Sequence, residues 1–240
     1  MNKSQAMNQA KHIGIVACSA EGAALCYTTI CVEAANMMGR HNHPEVTMHT
    51  PPFAQYMNCL YANDWQGVAD LMLSSSEKLA CAGADFLICP DNTIHNAMPS
   101  VRPHSPLPWL HIAEEVAAEA KHRRFRKIGI LGTRYLIESD IYPERLTGLG
   151  IAFERPAKSE SEEINRIIFD ELVYGNFRED SVHYLLNVIE ALKQVDCDAV
   201  ALGCTELPLI VNDSNSPLPT LDSTRLLARA ALHYALNAVT

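Results

Sequence analysis

The chain has 240 residues, of which 48% are hydrophobic and 20% charged, with 11 glycines and 13 prolines. This composition excludes a disordered chain, a collagen and a coiled coil. A chain of this length buries a sizeable core either as one large α/β domain or as two lobes of about 100 to 120 residues. The formal net charge of −9 disfavours nucleic acid and anionic membranes as partners and indicates small ligands.

The N-terminal residues and the cysteines predict the compartment. The first ten residues, MNKSQAMNQA, lack the apolar stretch of a signal peptide, and no run approaches the roughly 20 apolar residues of a membrane span. The eight cysteines contain no C-x-x-C pair, so zinc-ribbon and thioredoxin-type sites have no support. We therefore predict a cytoplasmic protein without a metal, whose cysteines are mostly reduced thiols.

Apolar, β-branched runs alternate along the chain with longer segments of helical periodicity. Short runs of this kind are typical of buried parallel strands. In chain order, the predicted strands are residues 13–18, 46–49, 85–89, 127–132, 151–153 and 198–203. A helix is predicted where apolar side chains recur at spacings of three and four, as they do after residue 67 and after residue 181. The last helix is predicted from Leu221 to Ala238. The alternation predicts a doubly wound α/β fold.

The second half of the chain repeats the first. HIGIVACS, which contains Gly14, resembles KIGILGT, which contains Gly129, and ADFLICPDNT resembles CDAVALGCTE. Gly14 lies 77 residues before Asp91, and Gly129 lies 75 residues before Cys204, so Asp91 and Cys204 occupy equivalent positions. A repeat of about 115 residues is too long for a solenoid and predicts two similar lobes related by a pseudo-twofold axis.

The predicted lobes are residues 1–118 and 119–220, with the segment 221–240 packing back on the first lobe. Ligands of open α/β sheets bind beyond the carboxyl ends of strands, where the segments D-N-T and C-T-E stand. We therefore expect an active site in a cleft between the lobes, flanked by Asp91 and Cys204. Two proton-handling groups that face each other can remove a proton from one face of a carbon and return one to the other face. This is the chemistry of stereoinversion.

Polar residues beside Asp91 and Cys204 predict how a substrate carboxylate is held. Asn92, Thr93 and Thr205 supply side-chain donors, and backbone amides at helix N-termini supply more. The alternative is that both segments are strand-to-helix connections, in which such residues only cap a helix. Their recurrence at equivalent positions favours the functional interpretation.

The segments PDNTIH and LGCTELP, with the opening IGIVACSAEGAALCY, resemble the cofactor-independent aspartate/glutamate racemase superfamily. The resemblance covers nearly the whole chain and depends on the signature pair C-N-T-x-H and G-C-T-E or G-C-T-H. It implies two Rossmann-like lobes with an active site between them, a homodimer, and racemisation without pyridoxal phosphate or metal. It also implies that Cys204 is one of two acid/base residues. The residues implied to contact the substrate are Asn92, Thr93, Thr205, Gly132 and Thr133.

The chain departs from the family pattern at Asp91, where the other cysteine is expected. A carboxylate is ordinarily a weaker base than a thiolate, because its reference pKa lies roughly four to five units lower. Burial beside a Cys204 thiolate would raise the pKa of Asp91 and couple the two titrations. Cys89 is a poorer substitute, because it precedes Pro90 in an apolar strand and matches Leu202 in the repeat. We predict that Cys204 and Asp91 form the acid/base pair, with the Cys204 thiolate as the faster base.

A dicarboxylic amino acid needs a cation for its second carboxylate, and an arginine is well suited to this. Arg134 is the first candidate, and Arg40 and His49 are others; for each, the alternative is an exposed charge or a loop residue. Ser19 and Glu206 are further candidate contacts, Glu206 for a substrate ammonium group, with helix capping as the alternative for both.

His95 follows the D-N-T segment and either orients Asp91 or serves only at a helix start. The leading prediction is an aspartate/glutamate-type amino-acid racemase. Two other functions stay open. A single catalytic cysteine on the same scaffold would suit a decarboxylase or a cis-trans isomerase of a dicarboxylic acid. An aspartate in place of a thiol would also suit an inactive homologue that binds a small acid.

Overall fold

A computed structural model describes residues 10–237 of the chain. These residues form two compact units, each built on one parallel sheet with helices on its faces. The first unit contains the residues up to Ile112 and those from Leu227 onward, and the second contains Ala113–Leu226. The predicted fold class is confirmed.

The first unit contains three strands in the order β2-β1-β3, all parallel. The strands are β1 (Ile13–Val16), β2 (Val46–His49) and β3 (Phe86–Ile88). The helices are α1 (Ala20–Glu33), α2 (Ala35–Met38), α3 (Phe53–Tyr61), α4 (Trp65–Cys81) and α5 (Met98–Val101), and a 3-10 helix covers Thr93–Ala97.

Alternating side chains of the first sheet enter two separate cores, because successive residues of a strand point to opposite faces. Val16 and Leu87 pack against α3 and α4 on one face. Ile15 and Ile88 pack on the other face against α1 and against the C-terminal helix of the chain. Both faces are therefore covered, which explains why these strands are continuous apolar runs.

The second unit contains four parallel strands in the order β5-β4-β6-β7. The strands are β4 (Lys127–Leu131), β5 (Ala152–Glu154), β6 (Ala199–Leu202) and β7 (Thr220–Asp222). The second half of the sequence forms the helices α6 (Ile112–His122), α7 (Arg134–Ile137), α8 (Ile141–Gly148), α9 (Lys158–Asp170), α10 (Glu179–Gln194) and α11 (Ser223–Asn237), with 3-10 helices at Leu172–Tyr174 and Leu207–Leu209. No helix in residues 10–237 is long and apolar enough to cross a membrane.

Helices α9 and α10 cover one face of the second sheet, and α6 and α8 cover the other. Helix α6 packs in the second unit through Val116, Ala117 and Ala120. Helix α11 packs in the first unit through Leu227, Ala228 and Ala231. Each half of the sequence thus ends in a helix that belongs to the core of the other unit.

The same hydrogen bonds open the central strand pair in both units. Asp85 Oδ2 accepts from His12 N at 2.7 Å, and Asp85 N donates to His12 O at 2.9 Å. Asp198 Oδ1 accepts from Lys127 N at 3.1 Å, and Asp198 N donates to Lys127 O at 2.9 Å. Asp85 and Asp198 are equivalent in the sequence repeat, so the two sheets begin in the same register.

Several predicted boundaries are wrong. Five of the six predicted strands differ from the observed ones by one or two residues at an end. The last helix was predicted to start at Leu221, but Thr220–Asp222 forms β7, and α11 begins at Ser223; the predicted end of this helix at Ala238 lies outside the described residues. The short strand pairs with β6, where Val200 faces Thr220. In the first unit the equivalent residue, Trp109, makes only a single parallel bridge with Leu87. The matching segments LPWL (107–110) and LPTL (218–221) carry the sequence signal for this missed strand.

Candidate active site

Asp91 and Cys204 lie just beyond the carboxyl ends of two parallel strands. Asp91 follows β3, which ends at Ile88, and Cys204 follows β6, which ends at Leu202. In each unit a short 3-10 helix begins shortly after the acid/base candidate. Ligands of open α/β sheets bind at this edge, so each unit holds its candidate where chemistry is expected.

His95 fixes the backbone at Asp91. His95 is 2% exposed, and its Nδ1 lies 2.7 Å from the backbone oxygen of Asp91. Ile112 N donates to His95 Nε2 at 3.4 Å, which leaves the hydrogen on Nδ1, where it is donated to Asp91. The Asp91 carboxylate oxygen Oδ1 accepts from Ile94 N at 3.3 Å. Asp91 thus makes the capping contact that the alternative interpretation expected, and His95 also holds its main chain.

Asn92, Thr93 and Ser19 share one edge of the first sheet with Asp91. Asn92 and Thr93 are buried. Asn92 makes no side-chain capping bond to the 3-10 helix that follows it. Ser19 follows β1, the neighbour of β3, and its Oγ accepts from Gly22 N at 3.4 Å as the N-cap of α1. The capping alternative therefore holds for Ser19 and fails for the Asn92 side chain.

Cys204 donates its thiol hydrogen to a carboxylate. Its Sγ lies 2.8 Å from Glu206 Oε2, and Thr205 Oγ1 donates to the same oxygen at 2.8 Å. Thr205 and Glu206 are both 5% exposed, whereas Cys204 is half-buried. The Glu206 side chain makes no capping bond to the 3-10 helix that follows it. A buried carboxylate thus accepts a hydrogen bond from the candidate thiol, whereas the sequence predicted a contact with a substrate ammonium group or a helix cap for Glu206.

Two glycines allow the loops after β4 and β6 to touch. Gly203 N donates to Leu131 O at 2.7 Å. A Cβ atom on Gly203 would overlap the Leu136 side chain and lie 2.9 Å from Leu131 O, and one on Gly132 would lie 3.2 Å from Gly203 O. Only glycine permits this approach. Thr133, next to Gly132, is the N-cap of α7, where its Oγ1 accepts from Leu136 N at 3.4 Å.

Arg134 is the cationic candidate that the second unit provides. It is exposed and follows Thr133 at the carboxyl edge of the sheet. Its backbone N donates to Asn165 Oδ1 at 2.9 Å, and its guanidinium lies 5.2 Å from the centroid of the Tyr135 ring. The Tyr135 ring is half-buried, whereas Arg134 itself is exposed, so its guanidinium stays accessible to a ligand. Arg40 is also exposed, in the loop before β2.

His49 is a poor cation. It ends β2, and its Nδ1 lies 2.9 Å from Ser75 Oγ. Burial, with a contribution from the charge of Lys78, lowers the pKa of His49. A neutral imidazole supplies no positive charge to a substrate carboxylate, so Arg134 and Arg40 remain as the candidates.

The sequence is also matched by a known family. The family model described as Asp/Glu/hydantoin racemase matches residues 13–231. The chain belongs to this racemase family. It is 25% identical to the broad specificity amino-acid racemase RacX of Bacillus subtilis, over 80% of this chain and 82% of that protein.

Solved structures of racemase-type proteins share the fold. A proposed Asp/Glu racemase from Yersinia pestis has a TM-score of 0.88 and 32% identity, over 94% of this chain and 99% of that chain. An aspartate racemase homologue from Pyrococcus horikoshii OT3 has a TM-score of 0.81 and 28% identity, over 94% of this chain and 99% of that chain. The predicted family is confirmed, and with it an enzyme of the amino-acid isomerase class.

Within this racemase family fold, Cys89 is a packing residue. It is fully buried directly after β3. Burial, together with the charge of Asp91, raises the pKa of the Cys89 thiol well above its ordinary value. A thiol in this state is a poor base at neutral pH, which supports Asp91 over Cys89 as the partner of Cys204.

Tyr56 is a further candidate for the region around Asp91, and no motif of the sequence points to it. It lies in α3, is 0% exposed, and packs in the same core as Cys18 and Cys89. Burial raises its pKa, with further contributions from the charges of Cys89, Cys18 and Asp91. Its spacing of four residues from buried Leu60 marks the inward face of a helix, but only the fold brings that face to the region of Asp91.

Across residues 10–237, no three histidine, cysteine or acidic side chains are grouped so as to hold a metal ion.

Proposed function

We propose that the protein is a cofactor-independent amino-acid racemase of the aspartate/glutamate type, in which Cys204 and Asp91 are the two acid/base groups. The observation that carries the proposal is the hydrogen bond from the Cys204 thiol to buried Glu206 at 2.8 Å. It gives the thiol a proton acceptor at the carboxyl end of β6, while the equivalent position after β3 holds a carboxyl group.

In one direction, Glu206 takes the thiol proton, and the Cys204 thiolate removes the α-proton of the substrate. The electron pair of the broken C–H bond moves into the substrate carboxylate, which becomes enolate-like. The carboxylic acid of Asp91 then delivers a proton to the opposite face of the α-carbon. In the other direction the Asp91 carboxylate is the base and the Cys204 thiol is the acid. The protonation states of Cys204 and Asp91 at the end of one direction are those with which the other direction starts.

Buried donors in the first unit hold the substrate carboxylate. We assign this role to Asn92 and Thr93, which are buried beside Asp91. Thr205 directs its hydroxyl hydrogen to Glu206, so it acts on the substrate through its backbone amide. We also assign Ser19 and Thr133 to the substrate carboxylate, because each is the N-cap of a helix, where backbone amides favour an anion. Donors aimed at the carboxylate also stabilise the enolate charge.

The substrate is proposed to be a small acidic amino acid, whose second carboxylate is bound by Arg134. The exposed guanidinium of Arg134 supports this assignment. The similarity to a broad specificity amino-acid racemase supports an amino-acid substrate in general. A homodimer and a cytoplasmic location complete the proposal, and sedimentation of the purified protein tests the first of them.

Exchange of the substrate α-proton with deuterated solvent tests the mechanism. We expect both enantiomers of aspartate or glutamate to exchange and to yield the mirror form with unchanged mass. Cys204→Ala should abolish the inversion of both enantiomers, and also the exchange of the enantiomer that Cys204 deprotonates, because no other thiol stands at the end of β6. Cys81→Ala is the matched control, since Cys81 is exposed at the end of α4, and it should leave the rates unchanged.

The alternatives give different products. A decarboxylase changes the mass of the substrate, and a cis-trans isomerase turns over an unsaturated dicarboxylic acid but no amino acid. An inactive homologue binds an acid in calorimetry without exchange of its α-proton. Normal inversion by Cys204→Ala would show that the proposed mechanism is wrong.

A further inference from the structure

Tyr56 carries a buried hydroxyl that makes no hydrogen bond to any residue in the described range 10–237. Its side chain is completely buried. Leaving a buried hydroxyl without a partner costs stability, so such groups are uncommon in folded cores. A phenylalanine of the same shape would fill the space without this cost. Packing alone therefore does not explain the hydroxyl.

Titratable groups share the core with Tyr56. Cys18, which lies beyond β1, and Cys89, which follows β3, belong to the same core cluster as Tyr56. Asp91 lies two residues beyond Cys89, and its charge raises the pKa of Tyr56. The phenol therefore stays protonated at neutral pH and can serve as a hydrogen-bond donor.

Helix α4 does not supply a hydrogen-bond partner for the Tyr56 hydroxyl. Ser75 Oγ lies beside the phenol and slightly lowers the pKa of Tyr56. However, Ser75 Oγ already donates to Leu71 O at 3.1 Å and faces His49 Nδ1 at 2.9 Å. The hydroxyl hydrogen of Tyr56 is thus not needed to satisfy this serine.

We propose that Tyr56 is a positioning residue for Asp91, and that its hydroxyl donates a hydrogen bond to the ionised Asp91 carboxylate when that group acts as the base. The inference depends on the proposed function, because it assigns Asp91 a turn as base. A donor to the charged form of a carboxyl group favours its ionisation. With the Tyr56 bond, Asp91 therefore stays ionised, and able to act as a base, at lower pH than without it. Asp91, which stands where the family pattern has a cysteine, would thereby have a hydrogen-bond donor, Tyr56, in its own unit.

The test is Tyr56→Phe in the full chain, followed by the 13C signal of the Asp91 carboxyl group, which is assigned with Asp91→Asn. We expect the Asp91 titration midpoint to move upward by about one pH unit, because the donor to the charged form is gone. The acid limb of the inversion rate in the direction that uses Asp91 as base should move by the same amount. The thermal midpoint should be unchanged or higher, because an unsatisfied hydroxyl has been removed.

Tyr142→Phe is the matched control. Tyr142 is a buried tyrosine of the second unit, and its hydroxyl bonds Ser223. Its loss should lower the thermal midpoint and leave the Asp91 titration in place. Ser75→Ala should also leave the titration in place, since it preserves the phenol.

An Asp91 titration that Tyr56→Phe does not move would overturn the inference. A Tyr56→Phe protein that unfolds or melts clearly lower would do so too, because it would show a structural hydroxyl. If the wild-type protein exchanges no amino acid, the proposed function fails, while the carboxyl titration still decides the coupling of Tyr56 to Asp91.

Discussion

At the end of β6 the candidate acid/base residue is a thiol that donates to a carboxylate two residues later, whereas at the end of β3 the candidate is itself a carboxylate. In the proposed mechanism, Cys204 of the second unit removes the α-proton after Glu206 has taken the thiol proton. Asp91 of the first unit would have to act without such a second carboxylate, and His95 holds its backbone. The comparison teaches that a repeated backbone can carry two different solutions to the same proton-transfer problem.

This asymmetry has a fixed thermodynamic limit. The two enantiomers of an amino acid have equal free energy in solution, so kcat/KM has to be the same in both directions. The difference between Cys204 and Asp91 can therefore be seen only in the separate values of kcat and KM, and in how each of these values depends on pH in the two directions. The following changes disturb one unit and leave the other as a reference.

Gly203→Ala should have the largest effect. A Cβ at Gly203 meets the Leu136 side chain and the Leu131 carbonyl, so the loop that carries Cys204 has to shift. We expect the free energy of unfolding to fall by about 1–3 kcal/mol and inversion to be lost in both directions. Urea unfolding and chiral chromatography measure the two effects.

Gly148→Ala is the control for that change. Gly148 lies in α8 with no atom within 4 Å of an added Cβ. It should gain roughly 0.5–1 kcal/mol of stability and keep full activity, because alanine favours the helix. Equal losses in the two variants would contradict a specific need for glycine after β6.

Glu206→Gln should have the next largest effect. Glutamine keeps an acceptor oxygen near Cys204 but cannot take its proton, so thiolate formation loses its base. We expect kcat to fall about 100-fold in the direction in which Cys204 is the base. Steady-state rates with each pure enantiomer, over a range of pH, measure this loss.

Thr205→Val separates the two donors that share Glu206 Oε2. It removes the hydroxyl and leaves the thiol bond, so kcat should fall much less than in Glu206→Gln. A Glu206→Gln enzyme with the wild-type kcat would show that the hydrogen bond from Cys204 is only structural.

Much of the fold could be predicted from the sequence because both faces of each sheet are covered. The central strands are therefore continuous apolar runs, and their order in the chain is visible directly. Their ends could not be placed. Cys18 is buried just as Val16 is, although it lies beyond β1, and hydropathy does not separate a buried loop from a strand. The strand at Thr220–Asp222 is too short to show a period at all.

The positions of Asp91 and Cys204 could also be predicted, because they follow from counting along the repeat. The partners of these residues could not. Glu206 turns to Cys204 through a 3-10 turn, and Tyr56 reaches the Asp91 region only because α3 packs on β3. Side-chain direction in a short turn and packing between distant segments have no periodic signal in the sequence.

The side-chain hydrogen bonds that join the elements of each unit also differ. The effect of Glu171→Gln on the free energy of unfolding tests this difference. In the first unit, β2 is joined to α4 by the neutral pair of His49 and Ser75. In the second unit, α9 and α10 are joined through buried Glu171, which accepts from Ser181 at 2.5 Å and from Arg166 at 2.9 Å. These bonds, first that of Ser181 and then that of Arg166, lower the pKa of Glu171.

A carboxyl group whose pKa is lower in the folded state adds stability at neutral pH, and this contribution is lost as the pH falls below about 4.5, through the folded pKa. Glu171→Gln should therefore lower the free energy of unfolding by about 1–3 kcal/mol at pH 7, because a charged bond to Arg166 is lost. The difference from wild type should shrink on going to pH 3, since wild-type Glu171 is then also becoming neutral. Urea unfolding at both pH values measures it, with Glu190→Gln on the exposed side of α10 as the control. A difference that stays constant between the two pH values would mean that the shape of Glu171, and not its charge, joins α9 to α10.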